Sequence, residues 1–252
     1  MKSSTGDWPQ LIRVNEGSGV ENYFDIDSLA KYLHLTPDQV RKMADRGKLP
    51  GTKVGGEWRF PRQEIFHWFE DRIGLSGESE LRVVEELLER NESTEQVVDL
   101  DHLLPQELIW VSCPARTKNS VIRQVCEFAA NQGYLWDAEK MATAIQNREQ
   151  LHSTALDNGV ALLHPRRPIT GIFELPFLAL AITPSGIPFG GPRGSLTDIF
   201  FLIASDNDAM HLKVLTRLSR TITMPDVVTS LRAASSAAEV KKVLVDAEEL
   251  LN

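Results

Sequence analysis

The chain has 252 residues, of which 42% are hydrophobic and 25% are charged. This length exceeds that of one average domain, so it predicts two domains that each bury a core. The composition is that of a folded globular protein and excludes a disordered or fibrous chain. A formal net charge of −8 excludes a chain coated uniformly with nucleic-acid-binding surface, although one domain can still carry a local basic face.

Membrane contact, metal sites and disulfides are not expected. No apolar run approaches the about 18 residues of a membrane span, and residues 1–7 lack an apolar signal core, which favours a cytoplasmic location. The two cysteines, Cys113 and Cys126, stand alone without CxxC spacing or a neighbouring pair of histidines. This pattern predicts buried free thiols, no metal site and no cofactor.

The N-terminal third begins with a flexible arm over residues 1–21, which carry Gly, Ser and Asn with little periodicity. Residues 22–74 then predict a small, mostly α, winged helix-turn-helix domain. Asp27 is expected to cap a first short helix, and residues 36–39 form a capping box that begins a second helix. Gly47 suits the left-handed position past the end of that second helix.

A hairpin and a third helix complete this domain. Residues 53–60 place a Gly-Gly turn between two short β-prone runs, which predicts a hairpin that can act as a wing. Pro61 introduces the third helix, whose apolar residues recur at helical spacing. These residues are Ile65, Trp68 and Phe69.

Residues 75–99 are acidic and polar but predict a helical linker with an apolar stripe. The stripe consists of Leu81, Val84, Leu87 and Leu88. Two interpretations of this stripe stay open. It can pack on a neighbouring domain, which is the commoner use, or it can form the contact of a homodimer.

Residues 100–252 predict an α/β sandwich, a mixed sheet flanked by helices. Three apolar runs bounded by Gly, Pro and Asp have the pattern of buried strands, namely 160–163, 177–182 and 199–204. Helices are predicted over 119–132, after Asp137, from about Asn207, and after a capping box of Ser236 and Glu239.

The second helix of the first domain and the hairpin carry long polar side chains on one side. In a helix-turn-helix the second helix enters the major groove, where such side chains reach phosphates and base edges. Alternatively, these charges only solvate a surface. The candidate DNA-binding residues are Gln39, Arg41, Lys42, Arg46, Lys48, Lys53 and Arg59.

Residues 23–69 resemble the excisionase-like helix-turn-helix family, which is related to the winged helix of the MerR regulators. The resemblance is carried by Ala30, Leu33, Val40, the Gly-Lys-Leu-Pro run at 47–50, and the segment 54–60. It implies DNA binding by this domain. Because a single module of this size binds weakly, a dimer or adjacent sites are expected.

The second domain offers His152, His164 and His211 as candidate histidines, with Arg148 nearby in sequence. A neutral imidazole can accept a phosphoryl group when cations and hydrogen-bond donors stabilise the transferring oxygens. Arginine suits that second role through bidentate contacts. A histidine at a strand end more often has a purely structural role. The residues alone therefore do not decide between a structural histidine and a phosphoryl acceptor.

Residues 147–168 and 208–220 resemble the enzyme IIA domains of the bacterial phosphotransferase system, in the fructose, mannitol and nitrogen-regulatory class. The resemblance covers residues 100–250 and implies that His164 accepts phosphate from the phosphocarrier protein HPr or its nitrogen-branch equivalent. It implies that Arg148 and His211 support the phosphorylated imidazole. The loop beneath it would contain Ser153, Thr154 and Asn158.

The chain departs from this family at both sides of the strand that ends at His164. Family members usually have Gly-Ser-Thr-Gly before the strand and Pro-His-Gly after it. This chain has His152-Ser153-Thr154-Ala155 and Leu163-His164-Pro165 instead. Pro165 removes a backbone donor beside the acceptor. Arg166 and Arg167 either compensate electrostatically or are only solvated.

The interpretation favoured by these patterns is a cytoplasmic bacterial DNA-binding regulator whose IIA-like domain accepts phosphate on a histidine and thereby modulates transcription. Its expected partners are DNA and an HPr-type phosphocarrier, with no membrane contact. One alternative is a catalytically inactive IIA fold that senses a ligand or a protein. A second alternative is a sugar phosphotransferase IIA component.

Overall fold

The computed structural model describes residues 23–33, 35–73, 81, 82, 85 and 98–251. Its N-terminal part is a small helical unit with a three-stranded antiparallel sheet in the order β1-β3-β2. The elements are β1 (Tyr23–Phe24), α1 (Ile26–Tyr32), α2 (Pro37–Asp45), β2 (Thr52–Val54), β3 (Glu57–Pro61) and α3 (Arg62–Ile73).

Local capping explains where the first two helices begin. The cap of α1 is Asp25 and not Asp27, because the Asp25 carboxylate accepts from the backbone N–H of Ser28 at 2.7 Å and completes a capping box. The predicted box at α2 is confirmed, with the Thr36 side chain accepting from Gln39 N. Gly55 and Gly56 both have positive φ, as a tight hairpin turn requires.

The C-terminal part is an α/β sandwich around a four-stranded mixed sheet in the order β4-β6-β7-β5. β4 pairs parallel to β6, β6 antiparallel to β7, and β5 parallel to β7. The strands are β4 (Ile109–Val111), β5 (Val160–Leu163), β6 (Phe177–Ile187) and β7 (Thr197–Ala204). The helices are α4 (Leu100–Leu103), α5 (Lys118–Asn131), α6 (Ala138–Leu151), α7 (Asp208–Thr223), α8 (Val227–Ala233) and α9 (Ala237–Glu249).

The sheet separates two apolar cores. One face packs against α5 and α6 and buries both free cysteines, Cys113 and Cys126, as predicted. The other face packs against α7, α8 and α9, and the apolar residues of α1, α2 and α3 join this same core. The helix-turn-helix unit therefore packs on the side of the sheet that α7, α8 and α9 cover, and α3 lies against α7.

The predicted arm at residues 1–21 lies outside the described residues, as does most of the predicted linker at 75–99. Leu81, Arg82 and Glu85 are described and helical, and the Leu81 side chain is buried in the core that contains α3. Within the described residues, no helix is long and apolar enough to span a membrane.

Candidate functional site

His164 stands at the end of β5, where its side chain is only 4% exposed. Its Nδ1 lies 2.7 Å from the carbonyl oxygen of Leu162. Because a carbonyl only accepts, Nδ1 must carry the proton and donate it. The neutral ring therefore has its lone pair on Nε2, the nitrogen that can attack an electrophile or bind a cation.

His211 lies in the first turn of α7, directly after β7, and its ring centroid is 4.9 Å from that of His164. Its Nδ1 is 3.0 Å from the hydroxyl oxygen of Ser205, the residue that follows β7. Burial lowers the pKa of His211, although Glu70 opposes this shift, so burial favours the neutral imidazole. Parallel pairing of β5 with β7 brings the two histidines to the same edge of the sheet.

Arg148 comes from the last turn of α6 and is buried, with Nη1 donating to the carbonyl oxygen of His152 at 2.9 Å. Thr154 follows in the next loop, where its N–H and hydroxyl both donate to the carboxylate of Glu149. Arg148, Thr154 and His164 line one pocket of about 220 Å³. The exposed side chain of His152 is also part of its lining, so this pocket reaches the surface.

A carboxylate from the other half of the chain occupies the centre of this site. Glu70 of α3 places Oε1 at 3.4 Å from Nε2 of His211, and Oε2 at 3.8 Å from Nε2 of His164. Oε2 also lies 4.0 Å from Nη2 of Arg148. We call Arg148, His164 and His211 the histidine site, and their approach to this carboxylate the Glu70 contact.

A short relay orients the Glu70 carboxylate. Nε of Arg166 donates to Nε2 of His67 at 3.0 Å, so Nδ1 of that ring carries the proton and donates to Oε2 of Glu70 at 2.9 Å. Burial raises the pKa of Glu70, but the imidazoles of His164, His211 and His67 outweigh burial and hold it well below its usual range. Glu70 is therefore a buried carboxylate anion.

The histidine site can bind an anion and present a nucleophile to it. It combines an arginine, two imidazoles and the first turn of a helix, whose N-terminal end favours negative charge. The same donor atoms can also hold a metal. One atom each from Glu70, His164 and His211 lies within 4.8 Å of the other two.

Two of the residues proposed for the loop reach this site and one does not. Ser153 and Thr154 line the pocket beside His164. Asn158 precedes β5 and so lies at the opposite end of the strand from His164, where its side chain donates to Ile222 O and accepts from Val160 N. The side chain of Asn158 therefore stabilises a turn in this structure, and its expected role in the loop beneath His164 stays a prediction.

The candidate DNA-binding residues lie on the outer side of α2 and the hairpin. Arg41, Lys42, Arg46 and Lys48 are exposed, whereas Val40 and Ala44 are buried as the helical spacing predicts. The other three also make local contacts. Gln39 serves the α2 capping box, Lys53 pairs with Asp45 at 3.3 Å, and Arg59 pairs with Glu57 at 3.0 Å.

Sequence reasoning missed Glu70 and His67. In the sequence both look like ordinary polar positions of an amphipathic helix, because the apolar spacing of α3 concerns only its own domain. Arg166 was expected either to compensate electrostatically for Pro165 or to be only solvated, and its guanidinium instead contacts His67 and Glu64 of α3. A contact between domains leaves no local signal that could have revealed these roles.

Comparison with known proteins identifies both halves of the chain. The family described as "Phosphoenolpyruvate-dependent sugar phosphotransferase system, EIIA 2" matches residues 102–247. The chain belongs to this EIIA 2 family. A second family, described as "Helix-turn-helix domain", matches residues 23–73.

Curated relatives align with the EIIA 2 part. The fructose-specific EIIA component of Haloferax volcanii is 29% identical over 157 residues, which are 61% of this chain and 99% of the relative. The nitrogen regulatory protein of Pseudomonas aeruginosa is 25% identical over 154 residues, which are 60% of this chain and 98% of the relative. The alignments thus cover whole EIIA proteins and leave the helix-turn-helix unit as an addition to them.

Solved structures show the same fold. The nitrogen regulatory protein IIA-Ntr from Neisseria meningitidis superposes with a TM-score of 0.52 at 24% identity, covering 57% of this chain and 97% of that protein. A IIA domain from Streptococcus pyogenes gives a TM-score of 0.52 at 15% identity, covering 61% and 98%. At these identities the comparison establishes the architecture of the EIIA 2 part alone.

Proposed function

We propose that this chain is a DNA-binding regulator whose His164 accepts a phosphoryl group from an HPr-type phosphocarrier, and that phosphorylation releases the helix-turn-helix unit from the EIIA 2 part. The observation that carries the proposal is the Glu70 contact. A carboxylate of the DNA-binding half sits among Arg148, His164 and His211, where a phosphoryl group on His164 would lie.

The chemical step follows from the tautomer of His164. Nδ1 keeps its proton through the bond to Leu162, so the lone pair on Nε2 attacks the phosphorus of the donor phosphohistidine. A new N–P bond forms as the donor N–P bond breaks, and the donor nitrogen takes back the electron pair. Arg148 stabilises the charge on the transferring oxygens, and His211 adds a donor in the tautomer whose proton is on Nε2 while Nδ1 accepts from the Ser205 hydroxyl.

Electrostatics make the Glu70 contact and a phosphorylated His164 incompatible. Two unit negative charges 4 Å apart repel by about 4 kcal/mol at an effective dielectric constant of about 20, and a phosphoryl group carries close to two such charges. Moving a two-state equilibrium from 1:99 to 99:1 needs about 5.5 kcal/mol. The repulsion is therefore large enough to shift the chain from a closed to an open arrangement.

The burial of His164 also indicates that phosphorylation involves an open arrangement of the chain. Phosphotransfer needs the phosphohistidine of the carrier to come close to His164, but the His164 side chain is only 4% exposed beneath α3 in the closed arrangement. The carrier must therefore act on a chain from which α3 has moved away. The unphosphorylated chain closes again when the Glu70 carboxylate returns to Arg148 and the two imidazoles.

Unlike His164, the outer residues of α2 stay exposed in the closed arrangement. Closure does not cover the recognition helix. Phosphorylation would instead change how rigidly this unit is held on the EIIA 2 part, and with it the relative placement of two units on adjacent DNA sites.

Intact-protein mass spectrometry tests the proposal. The full chain, His164→Ala and His152→Ala are incubated with phosphoenolpyruvate, enzyme I and a phosphocarrier, and DNA affinity is measured with a duplex selected from random sequence by the full chain. We expect acid-labile phosphate on the wild type and on His152→Ala, none on His164→Ala, and altered DNA affinity after phosphorylation.

Two results would contradict the proposal. Absence of phosphate, with a carrier that phosphorylates another EIIA 2 domain, would leave an EIIA fold that senses a ligand or a protein without phosphotransfer. Phosphorylation with unchanged DNA affinity would reject the coupling between the two halves and favour a phosphotransferase component.

A further inference from the structure

We propose that Glu70, His164 and His211 form a binding site for a divalent transition-metal ion, with Zn²⁺ as the best-fitting probe, and that the bound ion joins the two halves of the chain. The site needs only the closed arrangement seen here. It does not depend on phosphotransfer, although the two would exclude each other if the proposed function holds.

The donor atoms have the chemistry that zinc prefers. Two imidazole nitrogens and one carboxylate are a common ligand set for zinc, and imidazole also suits other late transition metals. His164 is already oriented by the bond from Nδ1 to Leu162 O, as ligating histidines usually are by an outer partner. His211 has an outer partner in the Ser205 hydroxyl, which accepts from Nδ1 when Nε2 binds the ion.

The distances between the ligand atoms lie near those around a tetrahedral ion. Ligands about 2.0–2.2 Å from zinc at tetrahedral angles lie about 3.3–3.6 Å from each other. Glu70 Oε1 lies 3.4 Å from Nε2 of His211, and Oε2 lies 3.8 Å from Nε2 of His164. Since all three ligand atoms fall within 4.8 Å of one another, only a small inward movement would complete the geometry.

A second, independent observation concerns the two imidazole nitrogens. Nε2 of His164 and Nε2 of His211 are both buried, and neither has a hydrogen-bond partner among the described residues. Buried polar atoms without a partner are costly and rare. When both rings carry their proton on Nδ1, the two Nε2 lone pairs and the Glu70 carboxylate converge on one position, which a cation can occupy.

The surroundings leave room for the ion and for a path to it. The pocket of about 220 Å³ that reaches the surface is lined by Glu70 and His164. Arg148 and His67 contact only Oε2 of the carboxylate, so Oε1 remains free to bind the ion beside His211. A carboxylate has enough lone pairs for both tasks.

Zinc binding by the purified full chain tests the inference. Tag-free protein is stripped with a chelator and dialysed against Zn²⁺ in the absence of any phosphocarrier. Zinc per chain is then measured by atomic emission, and affinity by competition with a chromophoric chelator. We expect about one zinc per wild-type chain, because three protein ligands and one open position complete a zinc site.

The variants separate this cluster from other ligands. Glu70→Gln and His211→Gln should each weaken zinc binding by at least about tenfold, since each removes a direct ligand. Glu64→Gln alters an exposed carboxylate of the same helix, and His152→Gln alters a pocket histidine outside the cluster, so both should bind as the wild type does. Circular dichroism checks that each variant is folded.

Zinc that is retained by the wild type and both controls but lost from Glu70→Gln and His211→Gln supports the site. No zinc on the folded wild type, or equal affinity in Glu70→Gln, overturns it. Because no carrier is present, failure of phosphotransfer cannot produce either negative result.

Discussion

Two carboxylates from the N-terminal side of the chain meet the same helix, α7, at different positions. Glu70 faces His211 in the first turn of α7. Glu85 faces Arg217 and Arg220 in the later turns, with its Oε1 3.0 Å from Nε of Arg217. Both carboxylates are buried, but only one of them faces side chains whose charge can change.

The difference assigns separate roles to the two contacts. Arginine stays protonated at any physiological pH, so the ion pairs of Glu85 persist in every state of the protein. Histidine can be neutral, protonated, phosphorylated or bound to a metal, so the Glu70 contact depends on what His164 and His211 carry. We expect Glu85 to hold the chain together permanently and Glu70 to respond to the chemical state of the site.

The largest expected effect is on stability. Glu85→Ala removes a buried carboxylate that pairs with Arg217 and Arg220, while Glu248 stays 3.7 Å from Arg217, and should lower the free energy of unfolding by about 3–5 kcal/mol. Urea denaturation measures this free energy of unfolding. Asp246→Ala removes the exposed pair with Lys242 and should change stability by less than about 1 kcal/mol. An equal loss of unfolding free energy in both variants would contradict the claim that Glu85 holds the two parts of the chain together.

Within the histidine site, Arg148→Gln should slow phosphorylation of His164 by about 10²–10³-fold, the usual effect of removing one stabilising donor from a reacting centre. Initial rates with a fixed concentration of phosphorylated carrier measure it. The unfolding midpoint of the variant is measured beside the rate, and a rate within a factor of three of the wild type would show that Arg148 only supports the His152 loop.

A smaller effect is expected at the DNA-binding surface, which neither carboxylate contacts. Arg41 is exposed on α2, and Arg41→Ala should lower the slope of log affinity against log salt by about 1 if it contacts a phosphate. Lys242→Ala, on the EIIA 2 part, is the matched control and should leave the slope unchanged. A salt slope equal in the two variants would place DNA binding elsewhere.

Much of the fold could be predicted from the sequence because its helix ends and buried strands have local causes. The capping box at Thr36 and the N-cap at Ser236 mark helix starts, and β5 has the predicted bounds. The predicted box at Ser236 is incomplete, because the Glu239 carboxylate accepts from the backbone N–H of Ser235. The missed elements are short or irregular. β4 is only three residues long, and α8 follows Asp226, whose φ is +66°.

The extent of β6 illustrates a tertiary effect. The apolar run predicted a strand ending at residue 182, but β6 continues to Ile187 past Pro184. The register with β7 shifts between Ile182 and Ile187, so the strand accommodates the proline at an irregularity. Pairing of Ile187 with Thr197 of β7 extends the strand beyond what the local sequence favours.

The histidine site was predicted in part for a similar reason. His164, His211 and Arg148 are brought together as the resemblance implied, because parallel strands end at one edge of the sheet. Glu70 could not be predicted, because it reaches the site only through packing between α3 and α7. The part of the site that we propose to be regulatory therefore lies in the contact between two domains.

The most direct test of the central claim compares phosphorylation rates of the wild type, Glu70→Gln and Glu64→Gln with the same phosphorylated carrier. Glu70→Gln should be phosphorylated at least about tenfold faster, because tenfold corresponds to only about 1.4 kcal/mol and buried charge contacts usually exceed that. Glu64→Gln removes only an exposed pair with Arg166 and should change little.

The Cys126 thiol serves as an internal control in this comparison, because burial raises its pKa to about 12 and it lies in the core on the other face of the sheet. It should stay unreactive in Glu70→Gln, which distinguishes release of α3 from unfolding. A faster rate with an unreactive Cys126 is the result that we predict. An unchanged or slower rate in Glu70→Gln would contradict the claim that Glu70 and a phosphoryl group compete for the histidine site.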